Sequence, residues 1–130
     1  MHFLHYSLCA WKKSQSGQIR QLCEIGYKEV VLTGVQLGGY GKDIGQQENL
    51  AHLVARIAGE TPLPRLRISS IEPEDINEPL LKQLSRSRIF CPHFHLPLQS
   101  GDDSILARMK RRYDLRYFTD LHHKILEFFP

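Results

Sequence analysis

Apolar positions recur along this chain in two rhythms, and their alternation predicts its elements. From Ser14 a helical spacing carries Ile19, Leu22, Cys23 and Ile25, with Ser14 or Ser16 placed to cap the helix and Gly26 to end it. The run Glu29-Val30-Val31-Leu32-Thr33 then reads as a buried strand, and it leads into the glycine-rich stretch Gly34-Val35-Gln36-Leu37-Gly38-Gly39-Tyr40-Gly41. Asn49 caps a second helix with Leu50, Leu53, Val54 and Ile57 on one face, and Gly59 closes it. Leu66-Arg67-Ile68-Ser69-Ser70-Ile71 reads as a second strand, followed by a helix capped by Asn77 with Leu80, Leu81 and Leu84 inward. A third strand is expected over His93-Phe94-His95-Leu96-Pro97-Leu98, where Pro97 suits a strand end better than a strand middle. Gln99-Ser100-Gly101-Asp102-Asp103 turns the chain into a helix through Met109, and Asp114 caps a last helix bearing Phe118, Leu121, Ile125 and Phe128. Residues 1–13 are aromatic and histidine-rich and follow neither rhythm, so they form an atypical amino-terminal segment ahead of a regular unit over residues 14–130.

Helices and strands thus alternate, and each gap between expected strands has room for a crossover helix. The fold class is α/β, with three parallel strands and crossover helices, either a piece of a (βα) barrel or an open doubly wound sheet. Three strands cannot close a barrel. An end at Phe128-Phe129-Pro130, directly after a helix, is expected to fall before a further strand.

Composition narrows the class. A chain of 130 residues with 42% hydrophobic and 24% charged residues is expected to form one globular domain. No apolar run approaches the length of a membrane span, and the first residues lack the basic flank and apolar core of a secretory signal. The formal charge of +3 permits a nucleic-acid partner without singling one out. The three cysteines, Cys9, Cys23 and Cys91, are widely spaced and form no CxxC, so neither a disulfide framework nor a thiolate metal site is expected. A reducing cytoplasm fits that usage.

In either layout ligands bind at the carboxyl ends of the strands. Three polar segments fall there: Thr33-Gly34 with the glycine stretch, Ser69-Ser70-Ile71-Glu72-Pro73, and His95 to Asp102. Together they offer hydroxyls, an amide, a carboxylate and an imidazole, a set suited to a small molecule with amino, carboxylate and ribose groups. The glycine stretch matches neither GxGxxG nor a Walker A sequence, and a plain surface turn is an equal reading. Ser100-Gly101-Asp102 also reads as an ordinary helix cap. His93 and His95, two apart on a strand, share a face, and without a third ligand a packed or hydrogen-bonded pair is expected rather than a metal site. Arg108, Lys110, Arg111, Arg112 and Arg116 against the single acid Asp114 read either as a solvated helix junction or as contacts to nucleic-acid phosphate.

The combination is more specific than its parts. Gly26-Tyr27-Lys28-Glu29-Val30-Val31-Leu32-Thr33-Gly34-Val35, Gly38-Gly39-Tyr40-Gly41, Arg67-Ile68-Ser69-Ser70-Ile71-Glu72-Pro73, His95-Leu96-Pro97-Leu98-Gln99-Ser100-Gly101-Asp102 and Met109-Lys110-Arg111-Arg112-Tyr113 occur in this order. They resemble the methylthiotransferases of the radical S-adenosylmethionine superfamily, and within it most of all the MtaB group. The resemblance covers about Ser14 to Pro130 and implies the central part of a catalytic barrel. It implies a cytoplasmic enzyme that adds a methylthio group to C2 of N6-threonylcarbamoyladenosine at tRNA position 37, in the anticodon loop, with S-adenosylmethionine and 4Fe–4S clusters as cofactors. The isopentenyladenosine-specific MiaB group is the alternative, and a cluster-free remnant that only binds ligand or RNA is another.

By the same resemblance the S-adenosylmethionine pocket would include Thr33, Gly34, Ser70, Glu72, His95, Gln99 and Ser100, and the tRNA would meet Arg108, Lys110, Arg111 and Arg112. The family's cluster-binding CxxxCxxC is expected upstream of Ser14, where Cys9 stands alone. The implied clusters therefore belong to the full-length family enzyme, and no catalytic or metal-ligating residue is assigned in this chain.

Overall fold

The computed structural model of the chain describes residues 2–5, 15–34, 36–41 and 48–130, with the backbone alone over 2–5 and at 15. Most of the atypical segment 1–13, with Cys9, the alternative cap Ser14 and Val35 of the glycine stretch lie outside the described residues.

Strand β1 (His2–His5) leads to helix α1 (Gln15–Glu24), strand β2 (Glu29–Thr33), helix α2 (Leu50–Glu60), strand β3 (Arg65–Ile68), and helices α3 (Glu78–Arg86), α4 (Asp103–Arg108) and α5 (Leu115–Phe128). Short 3-10 turns at Leu37–Gly39 and Pro73–Asp75 follow β2 and β3. The strands lie in the order β1-β2-β3 and pair in parallel, with His2 opposite Val30 and Val30 opposite Leu66.

The helices begin where side-chain oxygens satisfy their first N–H groups. Asn49, Asn77 and Asp114 accept from the backbone of His52 at 3.0 Å, Leu80 at 3.0 Å and Tyr117 at 2.7 Å. Helix α1 ends in a Schellman turn: Tyr27 N–H donates to the Leu22 carbonyl and Gly26 N–H to that of Cys23, both at 3.0 Å, with Gly26 at φ +101°. Alternation along β2 and β3 sends Val30, Leu32, Leu66 and Ile68 into one core with Leu53, Val54, Ile57, Leu80, Leu81 and Leu84. Helix α2 packs between α1 and α3, and α5 packs against α3.

Four expectations need correction. Residues 93–98 form no strand. Residues 89–91 meet β3 through Leu66 N–H to the Ile89 carbonyl at 2.7 Å and Cys91 N–H to that of Leu66 at 2.8 Å, and beyond them the chain meets the exit of β3 through Ile71 N–H to the His95 carbonyl at 3.3 Å. Pro92 and Pro97 lack the N–H groups a regular ladder needs. A strand that the sequence rhythm did not disclose, β1, lies on the other side of β2. Ile25 leaves the apolar face of α1 because it stands at the helix end, 72% exposed. Gly59 does not close α2; it sits in the last turn, and Thr61 closes the helix with its N–H and hydroxyl on the Ile57 carbonyl at 3.1 and 2.8 Å.

Candidate functional site

The carboxyl ends of β2 and β3 and the segment after them are tied edge to edge. Ser69 N–H donates to the Leu32 carbonyl at 2.9 Å, extending the β2–β3 ladder by one bond, and Ile71 N–H reaches His95. Thr33 and Gly34, Ser70 and Glu72, and His95 therefore stand at successive positions along one sheet edge.

Side chains reinforce the row. Ser70 Oγ lies 2.8 Å from His95 Nδ1, with either partner donating according to the imidazole tautomer. His95 is thus bonded across the exits, while His93 faces a separate cleft beside Arg65 and Arg67. The two histidines do not share a face, because the strand that would have aligned them is absent. Among the described residues no group of three or more His, Cys, Asp or Glu is placed to hold a metal ion.

Farther along, Leu98 accepts from Ser100 N–H at 2.9 Å around Gln99, which has φ +70°. That is a γ-turn with a non-glycine residue in the left-handed region, an unfavourable conformation that the surroundings must hold. The holding group is Tyr113. Its buried hydroxyl lies 2.8 Å from the Pro97 carbonyl and 3.2 Å from that of Leu98 and shares its proton between them. Burial raises the pKa of this phenol, so it stays a donor through the neutral range. Tyr117 stacks on Tyr113 at 6.5 Å, and its own pKa is also raised by burial.

Ser100 and Asp102 are engaged locally. Ser100 Oγ accepts from Asp102 N–H at 3.2 Å, and the Asp102 carboxylate caps α4 by accepting from Ser104 N–H at 2.8 Å and Ile105 N–H at 3.1 Å. The Ser104 hydroxyl, which donates to the same carboxylate oxygen, and then the backbone N–H groups pull the Asp102 pKa down. Asp103 Oδ1 accepts from Leu115 N–H at 2.8 Å and so joins α4 to α5.

The basic run does not act as one face. Arg108, Lys110 and Arg112 are exposed. Arg111 turns inward and its guanidinium lies 3.1 Å from Glu72 Oε2. The cause is the end of α4: Lys110 adopts φ +57°, its N–H donating to the Ala107 carbonyl at 2.9 Å and Arg111 N–H to that of Leu106 at 3.0 Å, a second Schellman turn that reverses the chain before Arg111. Arg111 is thereby brought together with Glu72 rather than with its basic neighbours. Sequence reasoning gave Tyr113 no role; the available signal was an aromatic residue closing an otherwise charged block.

The glycine stretch is fixed by close approach. A side chain on Gly38 would overlap Asp75, and one on Gly41, at φ +88°, would overlap the Glu48 carbonyl. Gly34 is not so constrained, since a Cβ there would make ordinary contact with Leu37 at 3.7 Å.

No protein-family model matches the chain. Individual proteins do. It is 40% identical over 116 residues, 87% of its length, to the threonylcarbamoyladenosine tRNA methylthiotransferase MtaB of Bacillus subtilis. It is 41% identical over 106 residues to the MtaB of Thermotoga maritima, covering 81% of the chain. It is 37% identical over 114 residues to the tRNA-2-methylthio-N(6)-dimethylallyladenosine synthase of Bacillus pumilus, covering 87% of the chain. The aligned parts are 25%, 24% and 22% of those proteins, so the chain spans about a quarter of the length of these curated relatives.

A parallel α/β unit with its polar side chains gathered at one sheet edge is therefore the class that fold and site define. Within that class, the chain is similar over most of its length to tRNA methylthiotransferases.

Proposed function

We propose that residues 14–130 supply the central part of the catalytic barrel of a cytoplasmic, radical S-adenosylmethionine-dependent tRNA methylthiotransferase of the MtaB type. Its substrate would be N6-threonylcarbamoyladenosine at position 37 in the anticodon loop of tRNA, methylthiolated at C2. The observation that carries this reading is the row of polar exits, bridged by the Ser70–His95 hydrogen bond, in a chain 40% identical to MtaB of Bacillus subtilis. Among the described residues no helix is long and apolar enough to cross a membrane.

The donor set at the exits and in the Leu98–Ser100 turn beyond them suits S-adenosylmethionine. Thr33, Ser70 and Ser100 bring hydroxyls, Gln99 an amide, His95 an imidazole, Glu72 a carboxylate, and Gly34 a backbone free of side-chain bulk. Amino, carboxylate and ribose hydroxyl groups find complementary partners among these. When bound, S-adenosylmethionine supplies the methyl group and the radical chemistry. The chain's own share is to orient it: Tyr113 holds the turn that presents Gln99, and Arg111 holds the Glu72 carboxylate. The described residues do not fit a 4Fe–4S cluster, since Cys23 lies on α1 and Cys91 beside β3. Exposed Arg108, Lys110 and Arg112, at the α4–α5 junction, would meet tRNA phosphates.

The test is a chimera in which residues 14–130 replace the matching segment of Bacillus subtilis MtaB, assayed by mass spectrometry of tRNA nucleosides. Methylthiolation of threonylcarbamoyladenosine supports the proposal. Methylthiolation of dimethylallyladenosine would move the reading to the type of the Bacillus pumilus relative. A folded chimera that binds tRNA but modifies neither nucleoside would overturn the catalytic reading.

A further inference from the structure

A second polar site lies away from the exits, at the amino-terminal end of β3. A cleft of about 420 Å³ opens between the start of that strand and residues 88–93. Arg65 and Arg67 alternate with buried Leu66 and Ile68, so they project from the sheet face turned away from the helical core. Arg88 and His93 line the cleft beside them.

The charges in this cleft do not balance. Among the described residues the carboxylate paired with the arginines is Glu29, one strand over. Its Oε2 lies 2.9 Å from Arg65 Nε and its Oε1 3.2 Å from Arg67 Nε. Arg67 Nε is buried and faces that oxygen at ion-pair distance but outside good hydrogen-bond geometry. Arg88 is exposed and has no ion-pair partner among the described residues. Guanidinium groups remain charged throughout the accessible pH range. Among the described residues, three of them against one carboxylate leave an excess of two positive charges around a buried N–H whose one ion pair is poorly aligned.

We propose that this cleft binds a phosphate monoester, with Arg67 and Arg88 as its principal ligands. A monoester dianion matches the excess charge, and its terminal oxygens suit the paired N–H groups of guanidinium. A monocarboxylate would leave one charge uncompensated. The cleft is larger than inorganic phosphate requires, so the ester carries a further group, either a free nucleotide or the terminal phosphate of an RNA. The site uses none of the exit residues and is independent of the methylthiotransferase reading.

The test uses the whole 130-residue chain, labelled with 15N, and follows the arginine Nε–H resonances during titration with adenosine 5′-monophosphate. Saturable shifts of Arg67 and Arg88 are expected. Arg88→Ala and Arg88→Gln, both at an exposed position, should each weaken binding about tenfold, as expected for losing one charged hydrogen-bonded contact. Arg86→Ala, an exposed arginine at the end of α3, should leave it unchanged. A short RNA with a 5′-phosphate is then compared with the same RNA bearing a 5′-hydroxyl. Competition by the phosphorylated RNA alone assigns the site to an RNA end, and competition by neither assigns it to a free nucleotide. The proposal is overturned if the Arg67 and Arg88 signals stay still. It is equally overturned if Arg86→Ala weakens binding as much as Arg88→Ala, or if the 5′-hydroxyl RNA competes equally, because diffuse basic charge would then suffice.

Discussion

Arg111 and Glu72 are 39 positions apart in the chain and 3.1 Å apart in space. The pair joins the turn after α4 to the exit of β3, so a residue from the basic run serves the polar edge rather than the surface. Both side chains are partly exposed, at 25% and 37%. Their coupling should therefore be modest, about 0.5–1 kcal/mol. A double-mutant cycle of Arg111→Ala and Glu72→Ala, read by urea unfolding, should return that value. Strict additivity would show that the contact contributes nothing to the fold.

Tyr113 is the stronger tie. Tyr113→Phe keeps the ring, its burial and its stacking on Tyr117, and removes only the hydroxyl that meets the Pro97 and Leu98 carbonyls. The expected loss is about 1–2 kcal/mol in unfolding free energy. The Gln99 turn should loosen before the rest, so amide hydrogen exchange at Ser100 should accelerate more than at the core amide of Val54. Equal acceleration at both would mean that Tyr113 stabilises the fold at large and does not hold the turn.

Much of the fold was legible because local rules and tertiary context agree. The caps Asn49, Asn77, Asp102 and Asp114 all act as their sequence positions indicate. The runs around Val30 and Leu66 are strands because their apolar side chains also meet α2 and α3. The expectation failed where the two disagree. Residues 93–98 have the composition of a strand, but Pro92 before them and Pro97 within them leave them with isolated bonds. Strand β1 carries no apolar rhythm of its own and forms because Val30 to Thr33 offer it a parallel edge. At the site, the polar exits of β2 and β3 were legible, since strand ends and polar composition coincide there, whereas the His95 segment meets them without being a strand. The Arg111–Glu72 and Tyr113–Pro97 links were not, because they depend on the left-handed turn at Lys110 that no local rule assigns to lysine.

That turn makes its own prediction. Lysine at φ +57° lacks the freedom of glycine, which commonly occupies this position after a helix. Lys110→Gly should raise unfolding free energy by about 0.5–1 kcal/mol while preserving the Arg111 contact. A decrease in denaturation midpoint would show that the lysine side chain contributes more than its backbone costs.

Two glycines should respond in opposite directions to the same substitution. Gly59 lies in the last turn of α2, and a methyl group there would meet nothing within 4 Å. Gly59→Ala should stabilise by about 0.5–1 kcal/mol through the higher helix propensity of alanine. Gly38→Ala must displace the Asp75 side chain and the turn that carries it, so it should destabilise. Thermal melts of the two variants with matching signs would contradict the placement of one of them.

Acid should weaken the fold in part through Asp102. Its carboxylate accepts from the Ser104 hydroxyl and from the Ser104 and Ile105 N–H groups, and those bonds hold its folded pKa below the unfolded value. A depressed carboxylate stabilises fully above the unfolded pKa, and the contribution is lost as pH falls through the folded one. Glu29, held down chiefly by its hydrogen bond with Arg65, and Glu60, held down chiefly by the Ser16 hydroxyl, act with the same sign. Stability should therefore fall as pH drops below about 4. Asp102→Asn keeps a side-chain acceptor for the helix cap but cannot ionise. It should be less stable than the parent at pH 7, and the gap should close in acid as the parent's carboxylate takes up its proton. Urea unfolding of both proteins across this range measures the gap, and a gap that stays constant with pH would show that the charge on Asp102 does not stabilise the start of α4.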